Sequence, residues 1–395
     1  RALREGMELA HALGHPGNAG AFLAMDPRSG EILAMGSYPT YNPNELIKPL
    51  TPQQYASLIG GSEGAPAPLL NRATEGAYPT GSTFKPITAI ASLEAGVLNP
   101  SEPLGGGSCI TAPGGQKFCN AGNTDYGALG LVEALKVSSD TYFFTVGEMD
   151  NPHGLVIQRM AHELGIGRPT GIDLPNESAG VLPSPQWREE RNHEQERCLR
   201  HHPASECGYV AEIRPWEPGD DMDLAVGQGD LQTDPLQMAV AYSTLVNAYR
   251  DHGEGVVVTP HLGMEITEPD GGLVESLKFP PRRVVHLNPS NVNYVMEGIH
   301  DATSQTGGTS ADVWAGWNQE EHPVYGKTGT AERTGQVEQA WYMCYVADAK
   351  RPLVIAVTVE QGGFGDQAAA PVARLMASEW FGKSEKLVSG SNPDH

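Results

Sequence analysis

No stretch of the chain approaches the about 20 consecutive apolar residues that crossing a bilayer requires, so the sequence offers no candidate membrane-spanning helix. Basic residues are scarce too: 26 Lys and Arg stand against 48 Asp and Glu, a formal net charge of -22. That balance argues against a nucleic-acid partner and against a polybasic contact with lipid, and any attraction of an anionic substrate has to be local. The plain account of the acidity is a solubilising surface or an organism with an acidic proteome. Cysteine is rare, with five in 395 residues, and falls into two close pairs plus one. Cys109 and Cys119 flank a Gly-rich segment, Thr111 to Lys117, and Cys198 and Cys207 flank Leu199 to Glu206. Such pairs suit short-loop disulfides outside the cytoplasm. For the second pair zinc is the rival reading, because His193, His201 and His202 lie near by, although the spacing is not that of a finger. The disulfide reading is preferred, and no metal or cofactor is expected. Cys344, among Tyr342, Met343 and Tyr345, reads as a buried free thiol.

What is present centres on Ala77-Tyr78-Pro79-Thr80-Gly81-Ser82-Thr83-Phe84-Lys85-Pro86. Glycine and proline end an irregular segment there, and an apolar run from Ile87 to Leu93 begins at helical spacing. The pattern predicts Ser82 as the first residue of a buried helix, with Lys85 one turn on and on the same face. A lysine can take a serine proton if desolvation or a neighbouring cation lowers its pKa. The helix N-terminus adds N–H groups and partial positive charge where an anionic intermediate would form, and Gly81 would let a substrate approach the backbone. The bland alternative is a capping serine and a solvated first-turn lysine. Two further stretches weigh against it: Val137-Ser138-Ser139-Asp140-Thr141-Tyr142-Phe143-Phe144, and Tyr325-Gly326-Lys327-Thr328-Gly329-Thr330-Ala331-Glu332. Ser-x-x-Lys, Ser-x-Asp and Lys-Thr-Gly follow one another in the order found in penicillin-interacting serine enzymes, where the middle motif is Ser-Asp-Asn.

On these motifs the sequence resembles the transpeptidase domain of class B penicillin-binding proteins, most closely the elongation-type branch. The resemblance covers about residues 18 to 383 and includes Gly-Glu-Ile-Leu-Ala-Met at 30 to 35, Pro-Thr-Tyr-Asn-Pro-Asn at 39 to 44 and Leu-Ala-Val-Gly-Gln-Gly-Asp at 224 to 230. Asp140 departs from the Asn of many relatives, although Asp there is familiar in this branch. Relatives carry a membrane-spanning helix and a pedestal domain ahead of this region, so the resemblance implies an excised fragment, anchored at the extracytoplasmic face of a bacterial membrane.

The expected fold is α/β: a five-stranded antiparallel sheet flanked by helices, with an inserted helical lobe, as in penicillin-binding protein transpeptidases and serine β-lactamases. Residues 1 to 14 read as a helix on the sheet, Ala21 to Met25 and Glu31 to Met35 as a hairpin, and Val324 to Glu332, Ala340 to Ala347 and Leu353 to Glu360 as three strands. A helix from Ala368 to Trp380 closes the sheet. Residues 1-383 form the expected domain, with an α/β lobe at about 1-79 and 226-383 and a helical lobe at about 80-225; 384-395 read as a disordered tail. Helices are expected at Pro52 to Leu58, Leu129 to Lys136, Thr141 to Val146, Leu155 to Leu164, Pro235 to Val246 and Asn291 to Ala302, with Asp140 a candidate N-cap. The segment to Asn123 reads as loop. Arg188 to Arg214 reads as an insertion, a surface loop in preference to a partner dock.

The resemblance implies acyl transfer. Ser82 would attack the penultimate carbonyl of a D-Ala-D-Ala stem peptide, release D-Ala and pass the acyl group to an amine of a neighbouring stem. Lys85 would serve as base, Ser138 as proton relay and Lys327 as a fixed positive charge that lowers the Lys85 pKa and holds a carboxylate. Thr328 would bind that carboxylate, Gly329 would keep the cleft open, and the N–H groups of Ser82 and Thr330 would form the oxyanion hole. Expected partners are peptidoglycan stem peptides, β-lactam antibiotics and a membrane glycosyltransferase. Two rivals remain: a hydrolase, whether D,D-carboxypeptidase or β-lactamase, and a non-catalytic β-lactam receptor.

Overall fold

A computed structural model describes all residues except 61–65, 209–211, 334, 384–385 and 391–395. Helix α1 (Ala2–Ala12) leads into strands β1 (Ala19–Met25) and β2 (Ile32–Tyr38), and α2 (Pro52–Ile59) follows on an irregular path. A capping box between Thr51 and Gln54 starts α2. A 3-10 turn, Gly81–Phe84, then runs into α3 (Lys85–Glu94). A small hairpin of β3 (Cys109–Thr111) and β4 (Lys117–Cys119) comes next, before α4 (Leu131–Lys136), α5 (Asp140–Asp150) and α6 (Val156–Leu164). Helices α7 (Pro185–His201), α8 (Pro218–Ala225) and α9 (Pro235–Arg250) continue the chain. Short strands β5 (Glu254–Val257), β6 (Glu265–Thr267), β7 (Leu273–Ser276) and β8 (Arg283–His286) lead to α10 (Pro289–Ser304). Strands β9 (Val324–Ala331), β10 (Gln339–Val346) and β11 (Leu353–Glu360) and helix α11 (Gly365–Trp380) complete it.

The main sheet has five strands in the order β2-β1-β11-β10-β9, and every pairing is antiparallel. Strands from the two ends of the sequence therefore meet at β1 and β11, and β9 is left on an edge. Strands β10 and β11 read as unbroken apolar runs because both faces are covered. Ala340, Tyr342, Cys344 and Val346 face a core with α1 and α11, while Trp341, Met343 and Tyr345 join a core containing Ile87, Tyr142 and Tyr242. Period-two alternation thus splits one apolar strand between two cores. Helix α1 packs chiefly on α11, where Gly6 lets the helices touch: a Cβ there would collide with Val372.

Several anchors tie the sheet to the segment before α3. Trp341 Nε1 donates to Pro79 O at 3.0 Å, and Tyr242 on α9 donates its hydroxyl to Thr83 O at 2.8 Å. Glu360, at the end of β11, accepts from Arg72 Nε at 2.6 Å and from the Tyr78 hydroxyl at 2.7 Å through one oxygen. The Arg72 side chain is only 4% exposed, so its charge depends on that carboxylate.

The helix and strand positions largely agree with the sequence pattern; α8 has no expected counterpart, and four further differences bear on the site. Lys85, not Ser82, begins the helix, because the chain first makes a 3-10 turn around Gly81. Ser139, not Asp140, caps α5: its hydroxyl accepts from Tyr142 N–H at 3.3 Å, and Asp140 is turned to Lys85 instead. The expected loop before Asn123 contains the β3–β4 hairpin. The expected surface loop begins inside the 17-residue helix α7, started by the Ser184 hydroxyl accepting from Trp187 N–H. Part of the tail, 384–385 and 391–395, lies outside the described residues; within the rest, Gly390 N–H donates to Asp366 O at 3.2 Å.

Replacing Glu360 by Ala leaves the Arg72 guanidinium without its buried carboxylate. The expected cost is about 3–5 kcal/mol, measured by urea unfolding, and a wild-type midpoint would refute the anchoring role of this ion pair.

Candidate active site

The 3-10 turn carrying Ser82 is held from two sides. Thr80 and Gly81 N–H both donate to Gly227 O, at 3.1 and 2.9 Å, in the Leu-Ala-Val-Gly-Gln-Gly-Asp stretch that follows α8. On the other side the turn abuts strand β9. Gly81 has φ +53°, and a Cβ there would collide with the Thr330 carbonyl. A Cβ on Gly329 would lie 2.6 Å from Thr80 O and 2.8 Å from Thr83 Cγ2. Both glycines therefore serve the close packing of the turn on the edge strand. This corrects the expectation that Gly81 makes room for a substrate and Gly329 for an open cleft: the space beside each is filled by protein.

Behind the turn, two lysines converge on one serine. Lys85 Nζ donates to Asp140 Oδ1 at 2.7 Å, to Ser138 O at 2.6 Å and to Ser138 Oγ at 3.3 Å. Lys327 Nζ donates to Ser138 Oγ at 2.7 Å and to Thr328 O at 3.0 Å. Both lysine side chains are fully buried, and the Phe143 ring lies 5.5 Å from Lys85 Nζ. Ser138 reaches both amines from a left-handed backbone, φ +61°, which a residue with a side chain adopts only where its surroundings hold it. Among the described residues no hydrogen bond joins Ser82 Oγ to Lys85 Nζ. The Lys85 amine is engaged with Asp140 and Ser138 instead.

Burial lowers the pKa of both lysines. Lys85 is lowered by desolvation, against which the Asp140 charge and hydrogen bond act. Lys327 is pushed well below its ordinary value by desolvation and by the Lys85 charge, with Asp140 opposing more weakly. Lys85 has a carboxylate counter-ion at 2.7 Å, while Lys327 has none among the described residues. The sequence, in which counter-ion distances are invisible, led to the expectation of Lys327 as the fixed charge; the structure places the carboxylate on Lys85.

A cleft of about 820 Å³ opens over this group, lined by Ser82, Ser138, Asp140, Thr328 and Thr330 among others. Its far wall is the β3–β4 hairpin. Cys109 and Cys119 are joined across that hairpin, with S–S at 2.10 Å. Asn120, just past the hairpin, accepts from Thr141 N–H at 2.9 Å, and Ala121 N–H donates to Asp140 Oδ2 at 3.2 Å. Cys198 and Cys207 are bonded as well and close the end of α7, away from the cleft. Cys344 is a buried free thiol. Sequence reasoning missed Asn120, Ala121 and Gly227 as supports of the site; the glycine-rich 224 to 230 stretch was noticed, but not that it carries the Ser82 turn.

The sequence profile of the penicillin binding protein transpeptidase domain matches residues 20–377. The peptidoglycan D,D-transpeptidase MrdA of Haemophilus influenzae is 30% identical over 398 residues, covering 95% of this chain and 55% of the relative. The chain thus spans little more than half the length of that curated relative. A solved structure of a peptidoglycan synthase complex coordinating polymerization and crosslinking superimposes with a TM-score of 0.77 at 29% identity, over 98% of this chain and 61% of that one. The ceftriaxone acyl-enzyme complex of penicillin-binding protein A from Mycobacterium tuberculosis gives a TM-score of 0.71 at 25% identity, over 95% of this chain and 77% of that one.

Gly81→Ala forces a side chain into both a left-handed backbone and the Thr330 carbonyl. The expected loss is about 1–3 kcal/mol in urea unfolding, whereas Ser82→Ala, which removes no side-chain hydrogen bond to a described residue, should stay within about 0.5 kcal/mol of wild type.

Proposed function

Because the chain belongs to the penicillin-binding protein transpeptidase family, in its class B elongation-type branch, we propose that it performs the acyl-transfer chemistry of a peptidoglycan D,D-transpeptidase. The observation that carries this reading is the Ser138 hydroxyl shared by Lys85 and Lys327, under the cleft onto which Ser82 opens. In this reading Ser82 is the nucleophile, Lys85 its base, Ser138 the relay, Asp140 the partner that sets the Lys85 charge, and Lys327, Thr328 and Thr330 the receivers of a donor carboxylate. The α/β lobe of about 1-79 and 226-383 and the helical lobe of about 80-225 would meet at this cleft.

The Ser138 hydroxyl shared by the two amines supports the following sequence of proton transfers. A donor carboxylate near Lys327 favours the charged form of that amine. A proton can then pass from Lys85 Nζ to Ser138 Oγ while Ser138 gives its own proton to Lys327 Nζ. Lys85 is left neutral and less bound to Asp140, free to take the Ser82 proton as Ser82 attacks the penultimate carbonyl. The contact between Gly81 and Thr330 supports an oxyanion hole from the N–H groups of Ser82 and Thr330. Collapse of the intermediate releases D-Ala, its amine protonated through Lys85 and Ser138. A β-lactam would follow the same path to a long-lived ester.

The two disulfides favour an oxidising compartment, and we infer an extracytoplasmic site of action on the bacterial membrane. No described helix is long and apolar enough to cross a membrane, so the inferred anchor would lie outside these residues. A membrane glycosyltransferase is the inferred partner, in line with the similar chain from a polymerizing and crosslinking complex.

Incubation with a penicillin should add one drug mass, and peptide mapping should find it on Ser82; an adduct elsewhere sinks the reading. Asp140 raises the Lys85 pKa, so Asp140→Asn lowers it. The base form then appears at lower pH, and the rising limb of penicillin acylation against pH should move down relative to wild type. An upward move would assign Asp140 some other role.

A further inference from the structure

The acidic residues around α8 are not equivalent. Asp220 accepts from Arg214 Nη1 and Nη2, both at 2.7 Å, from Arg188 Nη2 at 3.3 Å and from Glu217 N–H at 2.8 Å. Asp221 accepts from Asn151 at 2.6 Å, Trp216 Nε1 at 2.9 Å and Gln158 at 3.1 Å. Asp230 accepts from Arg188, the buried arginine of α7. Asp223 alone among these four has a carboxylate with no hydrogen bond or ion pair to any described residue; its backbone carbonyl accepts from Val226 and Gln228 N–H. It is half-buried, and it lines the same cleft as Ser82, Ser138 and Thr330. Glu332, two residues beyond Thr330, lines the cleft too, and its charge acts on Asp223.

Cations within reach do not neutralise this pair. Arg333 is drawn away, with its guanidinium 3.8 Å from Glu360, 3.4 Å from Gln339 and over the Tyr78 ring. Lys117, on the opposite rim, makes no ion pair with any described residue. A carboxylate withdrawn from water with a like charge beside it is unfavourable unless a cation arrives from outside. The donor side of the cleft, with its lysines, suits an anion; the Asp223 side suits a cation. An amine acceptor is an ammonium ion at neutral pH and has to lose a proton before it can attack an ester.

We propose that Asp223, with Glu332 as its neighbour, forms the acceptor side of the cleft, binding the ammonium group of the incoming chain and taking its first proton. The inference rests on the acyl-transfer reading above. The ammonium gives a proton to the Asp223 carboxylate, and the freed amine attacks the acyl carbon held on Ser82. The C–N bond forms as the C–Oγ bond breaks; the second amine proton passes through Lys85 to Ser82 Oγ. The products are an amide, a free Ser82 hydroxyl and a protonated Asp223. Burial, with the charges of Asp220 and Glu332 beside it, pushes the Asp223 carboxyl up to about 7, suited to a base that works near neutral pH. Asp230 adds to this, and Arg214 opposes it.

The experiment compares the wild-type chain with Asp223→Asn and Glu332→Gln at pH 7, using an acyl-D-alanyl thioester donor. D-alaninamide serves as the cationic acceptor and hydroxylamine, uncharged at that pH, as the control nucleophile. Asp223→Asn should lower the ratio of aminolysis to hydrolysis with D-alaninamide by about 10²-fold and leave it within about twofold with hydroxylamine. Glu332→Gln should give a smaller loss in the same direction. Penicillin acylation of Ser82 should be unchanged in both, which reports folding and separates failure of this proposal from failure of the acyl-transfer reading. An equal loss with both nucleophiles, or no loss with either, overturns it.

Discussion

Two ammonium groups buried within hydrogen-bond reach of one hydroxyl, with a single carboxylate between them and water, cannot both keep their protons at low cost. The site depends on that constraint. Asp140 compensates one charge, on Lys85, and leaves Lys327 to be neutralised or to be matched by an anion from outside. On the proposed reading an anionic donor would be the missing counter-ion, and its arrival would redistribute protons the protein already holds. The chain carries a net charge of -22, so this small cationic spot must act at short range in a negative molecule.

Much of the fold exists to bring these groups within a few ångströms. Lys327 comes from an edge strand, Ser138 from the bend between α4 and α5, and Lys85 from the first turn of α3. The turn and the strand meet only because Gly81 and Gly329 have no side chains, and Gly227 O holds the turn from the other side. Asn120 and Ala121 tie the disulfide-bridged hairpin to the first turn of α5. The wall of the cleft and the carboxylate that sets the Lys85 charge are therefore one mechanical unit.

The long polar helix α7 fits the same logic. Its Arg188 reaches Asp220 and Asp230, and Asp220 is further held by Arg214. Those pairs engage Asp220 and Asp230 and leave Asp223, which lines the cleft, without a cation. What the sequence presents as a highly charged insertion thus supplies, through Arg188 and Arg214, the cations that pair Asp220 and Asp230.

The order of the three motifs, the apolar runs of β10 and β11 and the close cysteine pairs are legible in the sequence, because spacing and periodicity are local properties of a chain. The 3-10 turn at Ser82 was not: helix periodicity begins at Lys85, and only contact with β9 and Gly227 shapes what precedes it. Nor could the sequence say which lysine holds the proton. That depends on burial and on partners far along the chain, 53 residues from Lys85 to Ser138 and 189 from Ser138 to Lys327. By itself the sequence determined which chemical groups are present and the helices and strands that carry them. Tertiary structure alone decided their surroundings, their supports and which of the four acidic residues around α8 keeps a carboxylate unpaired among the described residues, because electrostatic free energy is set by distance and solvent exposure, and folding fixes both.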